Sequence, residues 1–336
     1  MSDEATRSTD LDALLSRASA VNNKLLSDPF LVHFLPSTHK RTPPARPPLI
    51  NIGTHARTYA IDHLLHQFLS APASHSQGKQ VVSLGAGSDT RYWRFRADCE
   101  RDGKDWKSTC QKWVELDFPE ATSSKSRAIL THKPLSTLLG GSHTLRESSF
   151  HSEANDVVDK SRLFSRFFPT VPGGTGITSP DYALLPVDLR STTTLSDVLF
   201  FPTSSPILDR TLPTLLLAEC VLIYLPPETV SNIFDWFMTS FGSQDGGGGA
   251  FVGYDPFGLQ DSFGRVMLSN LAVRPPVTAC CRRDLTNRFS VIESKSVATL
   301  RRDDADARIA IRSAEGIRDC RFVDVEGDSR SLYSAR

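Results

Sequence analysis

The chain has 336 residues, of which 38 are Lys or Arg and 38 Asp or Glu, so it carries no formal net charge; 39% of residues are hydrophobic and 23% charged. That length holds one large domain or two modest ones, and the balanced charge supplies no global field that would draw the protein to nucleic acid or a membrane surface. No run approaches the ~18 uninterrupted apolar residues of a membrane helix, and the start MSDEATRSTD lacks the basic-then-apolar layout of a signal peptide, so a soluble intracellular protein is expected.

Residues 10–35 begin with a helical pattern: Leu11, Leu14, Leu15, Ala18 and Val21 recur at spacings of three and four behind the acidic Asp10 and Asp12. DPFLVHFLP breaks it. The proline-dense RTPPARPPL reads as extended chain over a surface, and a second amphipathic helix over 54–69 turns Ile61, Leu64, Leu65 and Phe68 inward. The next segment, VVSLGAGSDT at 81–90, is a short β-branched strand that stops at Gly85, where glycine permits unusual backbone angles. Its GxG turn lacks the third glycine of the dinucleotide fingerprint, which argues against a pyrophosphate packed on a helix N-terminus and so against a nicotinamide dehydrogenase.

KWVELDF, residues 112–118, is the second strand, with room before it for a crossover helix, while CERDGKDWKSTC reads as a surface insertion. Residues 131–180 have loop chemistry and are expected to be poorly ordered. DYALLPVDLR gives a third strand, LPTLLLAECVLIYL a long apolar fourth, VSNIFDWFMTSF a helix with Ile233, Phe234, Phe237 and Phe241 on one side, and AFVGYDPF a fifth strand. Strands that are apolar throughout and followed by helical pattern predict a Rossmann-like α/β fold, a mostly parallel sheet with helices on both faces.

Ligands of such sheets settle beyond the carboxyl ends of the strands. Asp117 ends the second strand and Asp188 follows the third, so both are expected beside the glycine turn, with strand-end turns or helix caps as the plainer alternative for each. Asp117 lies 32 residues beyond Gly85, against the ~20 usual for a ribose-binding carboxylate, the polar insertion accounting for the excess. Glu219, inside LLLAECVLIYL, would cost several kcal/mol to bury alone. It is read either as bonded to backbone amides or, preferably, as the partner of a cationic ligand. Cys99, Cys110, Cys220, Cys280, Cys281 and Cys320 show no paired CxxC spacing and read as free thiols. His63 and His66 could share a helix face, but without a third ligand no metal is assigned.

In order, VVSLGAGSDTRYWR, VELDFP, VDLR, LLLAECVLIYLPPE and DSFGRVMLSNL resemble the leucine carboxyl methyltransferases, over about residues 10–272. The resemblance implies a class I S-adenosylmethionine-dependent methyltransferase, its seven-stranded sheet ending in an antiparallel strand. It also implies methylation of the C-terminal leucine of the protein phosphatase 2A catalytic subunit, by a cytoplasmic monomer with neither a nucleic-acid nor a membrane partner. It divides the chain into a methyltransferase unit, 1–272, with an N-terminal helical lid at 10–70, and an atypical segment, 273–336. Cofactor contacts carried over are Gly85 at the turn, Asp117 at the ribose, Asp188 and Leu189 at the adenine, Glu219 by the methionine moiety and Arg57 at its carboxylate. Arg17 stands where the family commonly has Lys, and Thr54 and His55 where it has an aromatic pair. Arg57 and Tyr224 are positioning candidates, Tyr224 bordering the leucine pocket; no catalytic acid or base is assigned. The segment 273–336 matches none of the family's late strands and leaves an unpaired sheet edge in expectation. A displaced reading frame or splice junction is favoured there over a lineage-specific tail. The implied function is weighed against a carboxyl methyltransferase of the same family acting on a modified tRNA base, and against a catalytically silent phosphatase-binding relative.

Overall fold

The computed structural model describes residues 3–71, 78–139, 176–200, 206–242 and 247–255, together with strands 291–295 and 320–324. Eight strands form one sheet: β1 Lys79–Leu84, β2 Cys110–Asp117, β3 Ile177–Thr178, β4 Tyr182–Pro186, β5 Thr214–Glu219, β6 Gly249–Tyr254, β7 Val291–Lys295 and β8 Cys320–Asp324. Their spatial order is β3-β4-β2-β1-β5-β6-β8-β7. The pairs among β4, β2, β1, β5 and β6 are parallel; β3 is antiparallel to β4, and β8 is antiparallel to both β6 and β7. The chain winds outward from β1 through β2 to β4, then returns to the other side of β1 with β5. This reversal opens a crevice at the carboxyl ends of β1 and β5, where ligands of open α/β sheets bind.

Strand alternation divides the core. Val81, Trp113, Tyr182, Leu184, Leu215, Leu217 and Val252 join one buried cluster; Val82, Leu84, Val114, Leu116, Leu185, Leu216 and Phe251 join the other. The first cluster is covered by α2 (Pro48–Ser70), α3 (Arg91–Arg101) and α5 (Pro119–Thr131), and the second by α7 (Thr192–Phe200) and α8 (Pro227–Phe241). Burying both faces explains why the strands read as continuous apolar runs. On α8, Ile233, Phe234, Phe237 and Phe241 are all buried, as its periodicity predicts.

Helix α1 (Asp3–Asn22) precedes these elements and buries Leu14, Leu15 and Ala18 against Leu31 and Leu35 of the following connector. The proline-dense segment is not extended throughout, because Pro48 opens α2 at its first position, where a missing amide hydrogen costs nothing. The far end of α2 is fastened by Lys79, whose ammonium donates to the carbonyls of Phe68, Leu69 and Ala71.

Four further expectations are corrected. CERDGKDWKSTC is not a surface insertion: it contains the end of α3 and the short helix α4 (Trp106–Thr109), with Trp106 and Cys110 buried. Of 131–180, the ends are ordered as α6 (Lys133–Ser136) and β3, because Leu135 and Leu139 reach the core and Leu135 accepts the Trp93 indole N–H at 3.1 Å; residues 140–175 lie outside the described residues. The fourth strand stops at Glu219: Cys220 takes a left-handed φ of +53° and the chain passes into a 3-10 turn at Leu222–Tyr224. Finally, β7 and β8 come from the segment 273–336, so β6 is not left as an edge. The motif DSFGRVMLSNL lies outside the described residues.

Candidate cofactor and substrate site

The strand order sets Gly85, Asp117, Asp188 and Glu219 in a row at neighbouring strand ends: Leu84 is level with Leu116 and Ala218, and Asp117 with Pro186. Gly85 and Gly87 adopt φ of +57° and +45°, so the turn after β1 is built from left-handed glycines. The Gly87 amide donates to Asp117 Oδ2 at 2.6 Å and the Phe118 amide to Oδ1 at 2.7 Å, fixing the carboxylate plane. Burial raises the Asp117 pKa, and these two amides oppose that shift. The next strand tip is tied in by the Val187 amide on the Asp117 carbonyl, 2.9 Å. Asp188 is half exposed and accepts from the Arg190 backbone and guanidinium, which lower its pKa, while Leu189 beside it is buried.

On the other side of the turn, Glu219 already has cationic partners. Arg57 Nε donates to its Oε1, and Arg91 Nη1 to its Oε2 at 2.5 Å. Burial alone would raise the Glu219 pKa, but Arg57 and then Arg91 outweigh it and pull it down to about 2. The expectation that a cationic ligand supplies the missing charge is corrected accordingly: two arginines of the chain do so. Arg57 also lies over the Tyr254 ring at 5.4 Å, and although burial disfavours its charge, Cys220, Glu219 and Tyr254 together raise its pKa, so it stays a cation.

Helix α1 crosses the turn. Asp10 accepts from the Ser88 amide and hydroxyl, both at 2.8 Å, Arg17 donates to the Ser88 carbonyl and lies 3.7 Å from Asp89, and Thr9 hydrogen-bonds Tyr224. Burial raises the Tyr224 pKa. The sequence-predicted residues Arg17, Arg57, Gly85, Asp117 and Glu219 thus gather round one turn, with Asp188 and Leu189 at the adjoining tip and Tyr224 under α1. Thr54 hydrogen-bonds back into its own helix and His55 reaches the Leu25 carbonyl. His63 and His66 each engage the residue four places on in α2.

Sequence reasoning missed Asp10, Asp62, Asp89 and Arg91. Arg91 is 2% exposed and meets three carboxylates, Asp62, Asp89 and Glu219. The signal was available in SDTR, where an Asx-type turn opens α3: the Arg91 amide bonds Asp89 at 3.0 Å. Deeper in the sheet, Lys125 and Glu115 form a buried pair at 2.5 Å; Lys125 also holds the Asp89 carbonyl at 2.7 Å, and burial pushes the Glu115 carboxyl up to about 7 against the pull of Lys125.

The donor set fits a sulfonium nucleoside with an amino-acid tail. Asp117 offers a fixed acceptor for vicinal hydroxyls, and Arg57 and Arg17 offer cations for a carboxylate. Comparisons with known proteins agree. A family profile described as leucine carboxyl methyltransferase matches residues 5–238. Leucine carboxyl methyltransferase 1 of Cryptococcus neoformans var. neoformans serotype D (strain JEC21) is 40% identical over 287 residues, covering 81% of this chain and 72% of that protein. The Schizosaccharomyces pombe leucine carboxyl methyltransferase 1 is 32% identical over 79% of this chain and 69% of its own. An Arabidopsis thaliana homolog of that enzyme is 33% identical over 80% and 67%. The chain belongs to the leucine carboxyl methyltransferase family and is a class I methyltransferase whose methyl donor is S-adenosylmethionine.

Proposed function

We propose that the protein methylates the C-terminal leucine α-carboxylate of the protein phosphatase 2A catalytic subunit, giving a methyl ester. The observation that carries this reading is the row of strand tips around the glycine turn, closed on one side by Arg57 and on the other by α1. In that row Asp117 would receive the ribose hydroxyls, Asp188 and Leu189 the adenine, Gly85 the backbone-facing edge, and Arg57, Arg17 and Glu219 the amino-acid tail. When bound, S-adenosylmethionine supplies an electrophilic methyl group: a carboxylate oxygen forms the C–O bond as the C–S bond breaks and sulfur leaves as a neutral thioether.

No general base is required of the chain, because an α-carboxyl has a reference pKa of about 3.3–3.7 and is ionised near neutrality. What the residues contribute is alignment and exclusion of water, worth up to about 7–11 kcal/mol in favourable cases. Tyr224, protonated and beside Thr9, is placed to donate to the incoming peptide end, and Arg57 anchors without titrating. The reading includes a monomer acting in the cytoplasm, free of nucleic-acid and membrane partners, with residues 10–70 as the lid over a sheet that extends past residue 272 into β7 and β8. Balanced charge supports the absence of nucleic acid. Among the described residues no helix is long and apolar enough to cross a membrane.

The test is transfer of a labelled methyl group into the phosphatase catalytic subunit, with a subunit lacking the terminal leucine as control. Labelling confined to the leucine-terminated subunit is expected, and equal labelling of both would overturn the substrate assignment. Asp117→Ala should weaken cofactor binding by about 10- to 100-fold in calorimetry, the loss of charge-assisted hydrogen bonds.

A further inference from the structure

Glu219 is held at both oxygens by different arginines: Arg57 takes Oε1 and Arg91 takes Oε2. Neither oxygen can turn without breaking one ion pair. Arg57 is only partly buried, while Arg91 is 2% exposed and anchored from three directions. Its Nε donates to Asp62 of α2 at 2.7 Å, its Nη1 to Asp89 of the glycine turn at 2.9 Å and to Glu219 at the end of β5, and its own amide bonds Asp89. Asp89 is in turn gripped by Arg17 and, through its carbonyl, by Lys125. Asp62 is shared with Arg94, at 2.5 and 3.1 Å. One buried guanidinium therefore joins the turn, helix α2 and strand β5, and the two outer cations, Arg17 and Arg57, stand at opposite ends of the chain Arg17, Asp89, Arg91, Glu219, Arg57.

We propose that Arg91 is a positioning residue: it sets the rotamer of Glu219, and through it the guanidinium of Arg57, so that the groups receiving the donor's amino-acid tail are already placed before that tail arrives. This deepens the site reading above and rests on it. The geometry needs a planar fork. An ammonium at this place would keep the charge but could not hold Asp62, Asp89 and Glu219 in one plane. The cost of ordering Glu219 and Arg57 is then met in folding, leaving more of the contact free energy for affinity.

Two measurements separate the inference from the reading beneath it. In protein labelled with nitrogen-15 at arginine, the Arg57 Nε–H resonance, identified by its loss in Arg57→Lys, reports the Glu219 contact with no cofactor present. In Arg91→Lys this resonance should shift or broaden, although Arg91 bonds Glu219 rather than Arg57. Calorimetric affinity for S-adenosylhomocysteine should fall about 10-fold in Arg91→Lys and further in Arg91→Gln. Asp62→Asn, which removes a charge beside Arg91 but keeps an acceptor for its Nε and leaves the Glu219 contact intact, should stay within about threefold; a merely structural role would lower affinity equally in both variants, and that result also overturns the inference. Circular dichroism checks that each variant is folded; should Arg91→Gln fail to fold, Arg91→Lys and Asp62→Asn carry the comparison. An unmoved Arg57 resonance in Arg91→Lys, or affinity equal to the parent protein, overturns the inference. A parent protein that fails to bind S-adenosylhomocysteine overturns the site reading, and with it the purpose assigned to Arg91, even if the resonance moves.

Discussion

Gly85→Ala puts a methyl group at the bend where β1 ends, and both of its consequences follow from geometry. With φ at +57°, an L side chain costs about 1–2 kcal/mol in the left-handed region. An ideal Cβ there would lie 2.6 Å from Val221 Cγ2 and 3.0 Å from Val221 Cβ, and the three nearest atoms all belong to Val221. Such overpacking adds about 1–3 kcal/mol. Gly85→Ala should therefore lose about 2–5 kcal/mol in urea unfolding at unchanged m. In a Val221→Gly background, which deletes all three of the nearest atoms, the same substitution should cost only the backbone part, about 1–2 kcal/mol. The double-mutant cycle thus yields a coupling of about 1–3 kcal/mol. An equal cost in both backgrounds would refute the clash, and a cost below about 0.5 kcal/mol in either would refute the left-handed turn on which the site is built.

Two more outcomes are expected. Cys220 has φ +53° beside Glu219, so Cys220→Val, β-branched, should melt below Cys220→Ala by the equivalent of about 1 kcal/mol or more, with Cys220→Gly close to the parent protein; Val matching Ala would contradict the left-handed assignment. The Glu219 pKa is lowered from 4.5 to about 2 in the folded protein, so its ion-pair stabilisation is complete above about 4.5 and lost as pH falls toward 2. Glu219→Gln should flatten stability against pH in that window, and an unaltered slope in stepped-pH urea unfolding would show that the carboxylate is not paired as described.

The sheet was legible because its strands are buried on both faces. Apolar residues at Val81, Val82 and Leu84, at Val114 and Leu116, and in an unbroken run at Leu215–Ala218 mark the strands, and the glycine turn marks the end of the first. Strand-tip position made Asp117 and Asp188 readable beside the glycine turn, and Glu219 stood out as a carboxylate within an apolar run. The partners of Glu219 were not readable: Arg57 and Arg91 lie 162 and 128 residues before it, and only the docking of α2 and α3 against the end of β5 brings the opposite charges together. Glu219 was therefore misjudged as lacking a cation. The end of β5 was also hidden, since CVLIY is as apolar as the strand itself and the break depends on the backbone of Cys220. Trp106 was missed because a single large side chain buried within a polar stretch leaves no periodic signal.

The fastening of α1 has a mechanical consequence. Its apolar residues pack on Leu31 and Leu35, and that small cluster meets the main core through Phe34, which lies 5.5 Å from the Trp93 ring. Its hold on the mouth of the sheet is polar: Asp10 on Ser88, Thr9 on Tyr224, Arg7 on Glu120 and Arg17 on the Ser88 carbonyl. Water can stand in for each of those partners, whereas on its other side α1 packs on α2 and buries Ser19 and Ala20. The grip of α1 on the crevice is thus the part of its docking that solvent can take over most cheaply, and its seat on α2 is the part that resists.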